Sequence, residues 1–333
     1  NKKYKIVWML QNKKPKQLPD NVICFNLFRP SFRKTYYFYT AKYMTSDHHI
    51  LGRKRNGQTA CYLDHGTIGL KAFKGMITLP DELDCILVPS KYLAPILADQ
   101  YNLPYPNNKQ RVLGYPIHDI FYSDRPGDLG KLTHKKYQKV ILWMPTFRKS
   151  VDFNRIDSDN ELPLGIPIIK DIESCKKLND FLRLNNAFLI VKIHPMQDLT
   201  TVKIRDMSNI LVLDANTVKQ RGVDNYRLMK DVDALISDYS SAAYDFMHAD
   251  KPIAFTLDDA EDYKLGFLFE NPLNYMPGHI VYNQEEFMGF IQDVIEGKDP
   301  YKSERERISN LFYAYHDENG SRRLAEYMGL TKV

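Results

Sequence analysis

The sequence predicts an α/β protein of the GT-B layout: two Rossmann-like, doubly wound domains facing a central cleft. Three observations point there. Short apolar runs alternate with helix-like stretches in both halves of the 333 residues, the pattern of a parallel sheet with crossover helices. A polar stretch at 117–138, IHDIFYSDRPGDLGKLTHKKYQ, separates the halves with Pro126, Gly127 and Gly130. Residues 234–255, ALISDYSSAAYDFMHADKPIAF, hold a complete strand–turn–helix–strand unit.

In chain order, Lys5–Leu10 and Val22–Leu27 read as strands, and Ser31–Thr45 as a helix. Ala60–Asp64, Cys85–Val88 and Arg111–Gly114 are further strands, with a helix over Tyr92–Tyr101 between the last two. The second half restarts at Val140–Met144, followed by a helical stretch over Ile168–Leu184 and strands at Phe188–Ile193 and Ile210–Leu213. The anchor unit follows, with its strand at Ala234–Ile236, its helix from Ala242 to the stop at Lys251-Pro252, and a strand from Ile253. Ile280–Tyr282 is a short strand and Glu285–Glu296 a helix. The expected division is a domain at 1–125, a linker at 126–138 and a nucleotide-donor domain at 139–312. A helix within 313–333 is expected to pack back toward the first domain.

Composition excludes several classes. No apolar run reaches the roughly 18 residues that span a bilayer, and no secretory signal is visible. The start at Asn1 rather than Met leaves room for sequence upstream. Cys24, Cys61, Cys85 and Cys175 are scattered without a CxxC pair, as in a reduced cytosolic protein. No HExxH or His/Cys cluster suggests a metal, and no GxxxxGK[ST], GxGxxG or GxSxG is present. Net charge is +5, yet residues 1–55 carry thirteen Lys/Arg against Asp20 and Asp47, a net of +11. That arm is expected to meet something anionic. Without a nucleic-acid module, lipid headgroups or a phosphate-rich polymer rank ahead of nucleic acid. Phe32, Tyr36, Tyr39 and Tyr43 fall on one helical face, accompanied by Arg29, Arg33, Lys34 and Lys42. Such a face is either a core stripe with a basic back or an interfacial helix on an anionic membrane.

Four motifs stand at predicted carboxyl strand ends, the edge where open α/β sheets bind ligands. LDHGTIGLK carries Asp64, His65, Gly66, Thr67 and Lys71. MPTFRKS carries Thr146 and Arg148, KIHPM carries His194, and SDYSS carries Ser237, Asp238, Ser240 and Ser241. Each alone has a plainer reading: a loop histidine, a surface arginine, a helix cap at Ser240 or Ser241. Together, two histidines, an arginine and a serine pair describe a site for a phosphorylated ligand. Imidazole suits proton transfer near neutrality and guanidinium suits phosphate.

The set HGT…PTFR…HP…SDYSSxxYDF resembles the CDP-glycerol glycerophosphotransferase family, the teichoic acid primases and polymerases and their capsule-synthesis relatives. The resemblance runs from about residue 58 to about residue 325. QTACYLDHGTIGLK is similar to that family's QxxWHGTPLK, with Asp64 where tryptophan is usual and Ile68-Gly69 in place of the proline step. GYPIHD at 114–119 is similar to its GxPRND, with Ile117 and His118 replacing the Arg-Asn pair and so removing one cationic contact. The closing YHDENGSRR resembles its C-terminal run.

The resemblance implies a GT-B fold and transfer of a polyol phosphate, glycerol or ribitol, from a CDP-activated donor. The acceptor is a hydroxyl on a lipid-linked or polymeric molecule, CMP leaves, and no cofactor or metal is called for. It implies His65 and His194 as the functional histidines, with His65 as general base and His194 on the leaving side. Arg148, Thr146, Ser237, Asp238, Ser240 and Ser241 would serve the donor phosphates. Asp64, Gly66, Thr67, Lys71 and Asp119 would stand on the acceptor side or in support. The setting it implies is cytoplasmic and peripheral, on the inner face of a bacterial membrane reached through residues 29–55. A GT-B sugar transferase or epimerase with a UDP-sugar donor, and a non-catalytic polymer-binding scaffold, are the competing readings.

Overall fold

The computed structural model describes residues 4–11, 14–15, 18–64, 68–150, 155–156, 162–260 and 266–330. The chain forms two compact units, one of residues 1–63 with 79–86, the other of residues 64–78 with 87–333.

In the first unit β1 (Ile6–Leu10) pairs in parallel with β2 (Val22–Asn26). Helix α1 (Phe32–Thr40) opens on Ser31, whose hydroxyl accepts from the Lys34 N–H at 3.4 Å. The helix stops five residues before the expected end, because Ala41 turns to an extended conformation with ψ 137°. Residues 43–46 form instead β3 (Tyr43–Ser46), parallel to β4 (Thr59–Tyr62), which pairs with β5 (Cys85–Leu87). Tyr43 therefore leaves the helical face assigned to it. The amide of Gln58, itself buried, donates to the Phe38, Tyr39 and Ala41 carbonyls at the end of α1, which would otherwise be orphaned. The inner side of α1 is Tyr37, set against Phe25 with ring centroids 6.0 Å apart. The stripe that sequence offered as a core face is turned outward: Phe32 is 98% exposed, Tyr36 63% and Tyr39 51%.

The second unit holds α2 (Ala94–Gln100), β6 (Gln110–Arg111) and α3 (Asp119–Tyr122). Then comes β7 (Lys139–Trp143), followed by a short antiparallel pair, β8 (Lys149–Ser150) with β9 (Arg155–Ile156). Helix α4 (Ile172–Leu184) begins four residues later than expected, since Asp171 caps it and Ile168 sits at φ 66°. Next are β10 (Ala187–Lys192), β11 (Ile210–Leu213), α5 (Ala215–Arg221) and α6 (Asn225–Asp231). The two helices, capped by Asp214 and Asp224, were not foreseen, being only seven residues each.

The anchor unit is β12 (Ala234–Ser237), α7 (Ser241–Asp245) and β13 (Ile253–Thr256). Its helix is shorter than expected, tightening to a 3-10 turn at Phe246–Ala249 before Asp250 reverses at φ 48°. The chain closes with β14 (His279–Val281), α8 (Gln284–Glu296), α9 (Lys302–Phe312) and α10 (Gly320–Tyr327).

Six of these strands make one parallel sheet in the order β11-β10-β7-β12-β13-β14. The first strand in sequence is thus third in space, the two that follow lie on one side and the last three on the other. This is the 3-2-1-4-5-6 arrangement, with its switch point between β7 and β12. Strands β7, β10, β12 and β13 are almost wholly buried, as a sheet covered on both faces requires. The stretch at 126–138 is docked rather than loose: buried Asp128 accepts from the Asp224 N–H at 2.7 Å and pairs with Arg227 and Lys131.

A buried aromatic–histidine cluster joins α3, α6, α7 and the approach to α10. His118 Nε2 meets Asp245 Oδ1 at 2.9 Å, and the Tyr226 hydroxyl donates to Asp245 Oδ2 at 2.7 Å. The Tyr122 hydroxyl lies 2.8 Å from His248 Nδ1, and the His118 and His248 rings are 4.0 Å apart, with His316 5.6 Å from His248. Burial, reinforced by His118 and His316, holds His248 well below the usual imidazole range. It is neutral in the fold, so below about pH 6.5 the unfolded chain binds the extra proton. Stability then falls as pH falls, by up to about 1.4 kcal/mol per pH unit for this group. The melting temperature is expected to drop more between pH 7.5 and 5.5 for the wild type than for His248→Gln. Equal slopes would refute the assignment.

Candidate functional site

The site is built where β7 and β12 part. Past β7 the chain runs through Thr146 and Arg148, and past β12 through Asp238, Tyr239, Ser240 and Ser241. Asp238 is fully buried; its Oδ2 accepts from the Thr146 N–H (2.9 Å), the Thr146 hydroxyl (2.7 Å) and Arg148 Nη1 (3.0 Å). Arg148 is 2% exposed and reaches past β12 to Asp259, following β13, with Nε 2.5 Å and Nη2 3.0 Å from the two carboxylate oxygens. The Tyr239 hydroxyl donates to the same carboxylate at 2.6 Å. Burial alone would lower the guanidinium, but Asp238, Tyr239 and Asp259 outweigh it and push it above its ordinary range. Burial drives the Tyr239 phenol far up, so it stays a donor.

This placement differs from the expected one. Arg148 and Thr146 were assigned to donor phosphates, yet both are engaged by carboxylates inside the protein. Two carboxylates face one guanidinium, so the cluster holds no spare positive charge. Ser237 is likewise internal, its hydroxyl donating to the Met144 carbonyl at 2.9 Å. Ser240 and Ser241 are partly open to solvent, and Ser240 caps α7 by accepting from the Ala242 N–H at 3.3 Å. With α7 only five residues long, the helix dipole is small, and the hydroxyls carry what the turn can offer.

The segment Ile68–Ala72 packs on this turn. Leu70 N–H donates to the Tyr239 carbonyl at 3.3 Å, Leu268 N–H to the Leu70 carbonyl at 2.7 Å, and Lys71 bridges Phe267. A Cβ at Gly69 would stand 3.2 Å from both the Ser241 nitrogen and the Tyr239 oxygen, so glycine permits this close approach. The Lys71 ammonium lies 6.0 Å from the Phe147 and Tyr239 ring centroids. On the amino-terminal side Asp64 adopts φ 62° and accepts from the Tyr101 hydroxyl at 2.9 Å. His65, Gly66 and Thr67, between these flanks, lie outside the described residues.

His194 follows β10 and is partly exposed, with its ring 5.0 Å from that of Phe147. Its Nδ1 accepts from the Met196 N–H at 3.1 Å, which leaves the proton of the neutral ring on Nε2. The ring is therefore set to donate. Asp119 is used elsewhere: its two oxygens accept from the Gly320 and Ser321 N–H groups at 2.8 and 2.9 Å, fixing the start of α10. A cavity of about 350 Å³ adjoins the cluster, lined by Leu257, Asp258, Asp259, Phe267, Met276 and Tyr282 among others. Sequence reasoning missed Asp258, Asp259 and Tyr239, although both aspartates lie within three residues of the end of a strand it had placed. Among the described residues no group of three or more His, Cys, Asp or Glu could hold a metal ion.

A sequence model described as CDP-Glycerol:Poly(glycerophosphate) glycerophosphotransferase matches residues 1–329. The chain belongs to this family. The teichoic acid glycerol-phosphate primase of Bacillus subtilis (strain 168) is 26% identical over 254 residues, covering 74% of this chain and 57% of the primase. The teichoic acid ribitol-phosphate polymerase TarL of Staphylococcus aureus (strain NCTC 8325 / PS 47) is 31% identical over 198 residues, covering 57% of this chain and 30% of TarL. The chain thus spans little more than half the length of that primase and less than a third of TarL. The solved wall teichoic acid polymerase TagF superposes with a TM-score of 0.74 at 18% identity, over 99% of this chain and 82% of TagF. The fold class is therefore the expected one, α/β and GT-B.

In this glycerophosphotransferase-family chain Arg148 is paired with two buried carboxylates, and its contribution to the fold is testable. Arg148→Ala would leave Asp238 and Asp259 buried without a counter-charge and is expected to destabilise by about 3–5 kcal/mol. Denaturant unfolding reads this directly. An arginine that merely faced a phosphate would leave the midpoint nearly unchanged.

Proposed function

We propose that the protein transfers glycerol phosphate or ribitol phosphate from a CDP-activated donor to a hydroxyl of a lipid-linked or polymeric acceptor, releasing CMP, in teichoic acid or capsule-type polymer synthesis. The reading is supported by the match of the family over residues 1–329, together with Ser240 and Ser241 after β12, Lys71 beside the Tyr239 ring and His194 after β10, the strand next to β7. These groups are donors, as a diphosphate requires. The primase and TarL, which their names tie to glycerol phosphate and ribitol phosphate, support the substrate class.

In the proposed reaction the acceptor oxygen attacks the phosphorus bearing the polyol while the bond from that phosphorus to the CMP oxygen breaks. The acceptor proton passes to His65, and His194 Nε2–H stabilises or protonates the departing phosphate. Little covalent work falls to the protein; placement and charge stabilisation dominate. His65→Ala is expected to bind the CDP-donor nearly normally and to lose about 10²–10⁴ in turnover. His194→Ala is expected to lose donor affinity and rate together. Calorimetry and CMP release with CDP-glycerol, CDP-ribitol and UDP-sugars measure both, with EDTA present to ask whether protein groups suffice. Transfer from a UDP-sugar, or no CMP release from any donor, would sink the reading.

We further infer that α1 meets an anionic membrane surface, with the protein on its inner face. Phe32, Tyr36 and Tyr39 are exposed beside Arg29 and Arg33, the amphipathic combination that settles at a headgroup boundary. Lys34 contributes less, since its ammonium is held by the Leu27 and Arg29 carbonyls at 2.7 and 2.6 Å. Sedimentation with phosphatidylglycerol vesicles should show binding that weakens with salt and is lost in Arg29→Glu/Arg33→Glu. Salt-independent binding, or none, argues against it.

A further inference from the structure

The alternation of the sheet brings one more charged side chain to the same edge. One face of the sheet is core: Trp143, Val191 and Ile236 lie in it, and they are register partners across β7, β10 and β12. The next row, Met144, Lys192 and Ser237, therefore projects to the opposite face. Lys192 is the last residue of β10, on the row that ends the strands at the switch point, two residues before His194. It is 5% exposed, and among the described residues its ammonium has no hydrogen-bond or ion-pair partner. Burial, with no carboxylate to oppose it, pushes the ammonium down to about 8.

A buried ammonium without a counter-charge weakens a fold, and an apolar side chain of similar length would pack better. Among the described residues no carboxylate pairs with it. Arg148, beyond β7, is a cation already paired with Asp238 and Asp259. Asp214, beyond β11, accepts from the Thr217 N–H at 2.7 Å as the cap of α5, and His194, two residues past the end of β10, carries no negative charge. Among the described residues the switch point thus contains the hydroxyls of the turn, the Lys71 ammonium beside the Phe147 and Tyr239 rings, a guanidinium outnumbered by carboxylates, and the ammonium of Lys192.

We propose that Lys192 supplies, beside Lys71, a buried positive charge that seats the donor's diphosphate at the switch point between β7 and β12. This rests on the phosphotransferase reading above and replaces Arg148 in the part first assigned to it. Binding the anion would restore the charge that burial discourages, so the complex takes up a proton where the free ammonium is partly deprotonated. Donor affinity is then full below about pH 8 and falls above it.

Calorimetry on the full chain with CDP-glycerol, CDP and inorganic pyrophosphate, at pH 7 and 8.5 in buffers of different ionisation enthalpy, tests this. The wild type is expected to take up a fraction of a proton on binding at pH 8.5. Lys192→Met is expected to lose about 10–100-fold in affinity for all three probes, to take up no such proton, and to melt no lower than the wild type. Lys192→Arg is expected to bind without proton uptake, and it decides the matter if the methionine variant does not fold. Wild-type affinity in Lys192→Met, persistent uptake in Lys192→Arg, or a wild type that binds none of the probes would each overturn the proposal. Lys192-dependent binding of pyrophosphate without binding of CDP-glycerol would keep the anion site and remove the polyol-phosphate reading instead.

Discussion

The buried Asp238–Arg148–Asp259 group ties together the carboxyl ends of three adjacent strands. Arg148 leaves β7, passes the end of β12 and closes bidentately on a carboxylate after β13. Such a group is weak evidence for net stability, because desolvation offsets most of the Coulomb gain. Its value is geometric. A planar fork holding two carboxylates fixes the spacing of loops that would otherwise move independently, and those loops carry Ser240, Ser241 and Phe147. Tyr239 completes the frame, its hydroxyl on Asp259 and its carbonyl receiving Leu70 N–H. The stretch after His65-Gly66-Thr67 is thereby fastened to the same frame.

That frame also bears on the proposed donor site. A cluster with two carboxylates and one guanidinium repels an anion at close range, so in the proposed reaction the phosphates would be met by groups around it: the serine hydroxyls, Lys71, Lys192 and His194. His194 is the clearest case, because a single backbone N–H on Nδ1 settles which nitrogen carries its proton. In the neutral ring of His194 that contact places the proton on Nε2.

Much of this was legible in the sequence, and the exceptions have physical causes. Strands of the second unit were readable because a sheet covered on both faces demands apolar runs such as Ala187–Val191. Their carboxyl ends then located three of the four motifs, MPTFRKS, KIHPM and SDYSS, without any structural information; the fourth, LDHGTIGLK, follows β4 of the first unit. Helix boundaries failed where one residue decides them: Ala41 ending α1, Asp171 starting α4, Asp250 closing the turn after α7. The partners of Arg148 were hidden for a different reason. Sequence shows that a guanidinium stands at a strand end but not which carboxylates reach it, and Asp259 is 111 residues away. The outward stripe of α1 was undecidable from periodicity, which gives a face but not the side of the protein that face meets.

The Ile117-His118 pair, standing where the family pattern has Arg-Asn, gains a structural meaning. Ile117 is 44% exposed, whereas His118 is buried and bonded to Asp245, the last residue of α7. The next residue, Asp119, holds the N–H groups that open α10. One short segment therefore grips both the far end of α7 and the start of the C-terminal helix. Helix α7 is held at its other end by Ser240 and by Asp238 just before it. A five-residue helix has little stability of its own, so its position comes from these two fastenings. The serines of the turn are then presented by a rigid support, and a change at His118 would be felt at Ser240 and Ser241 without touching a ligand.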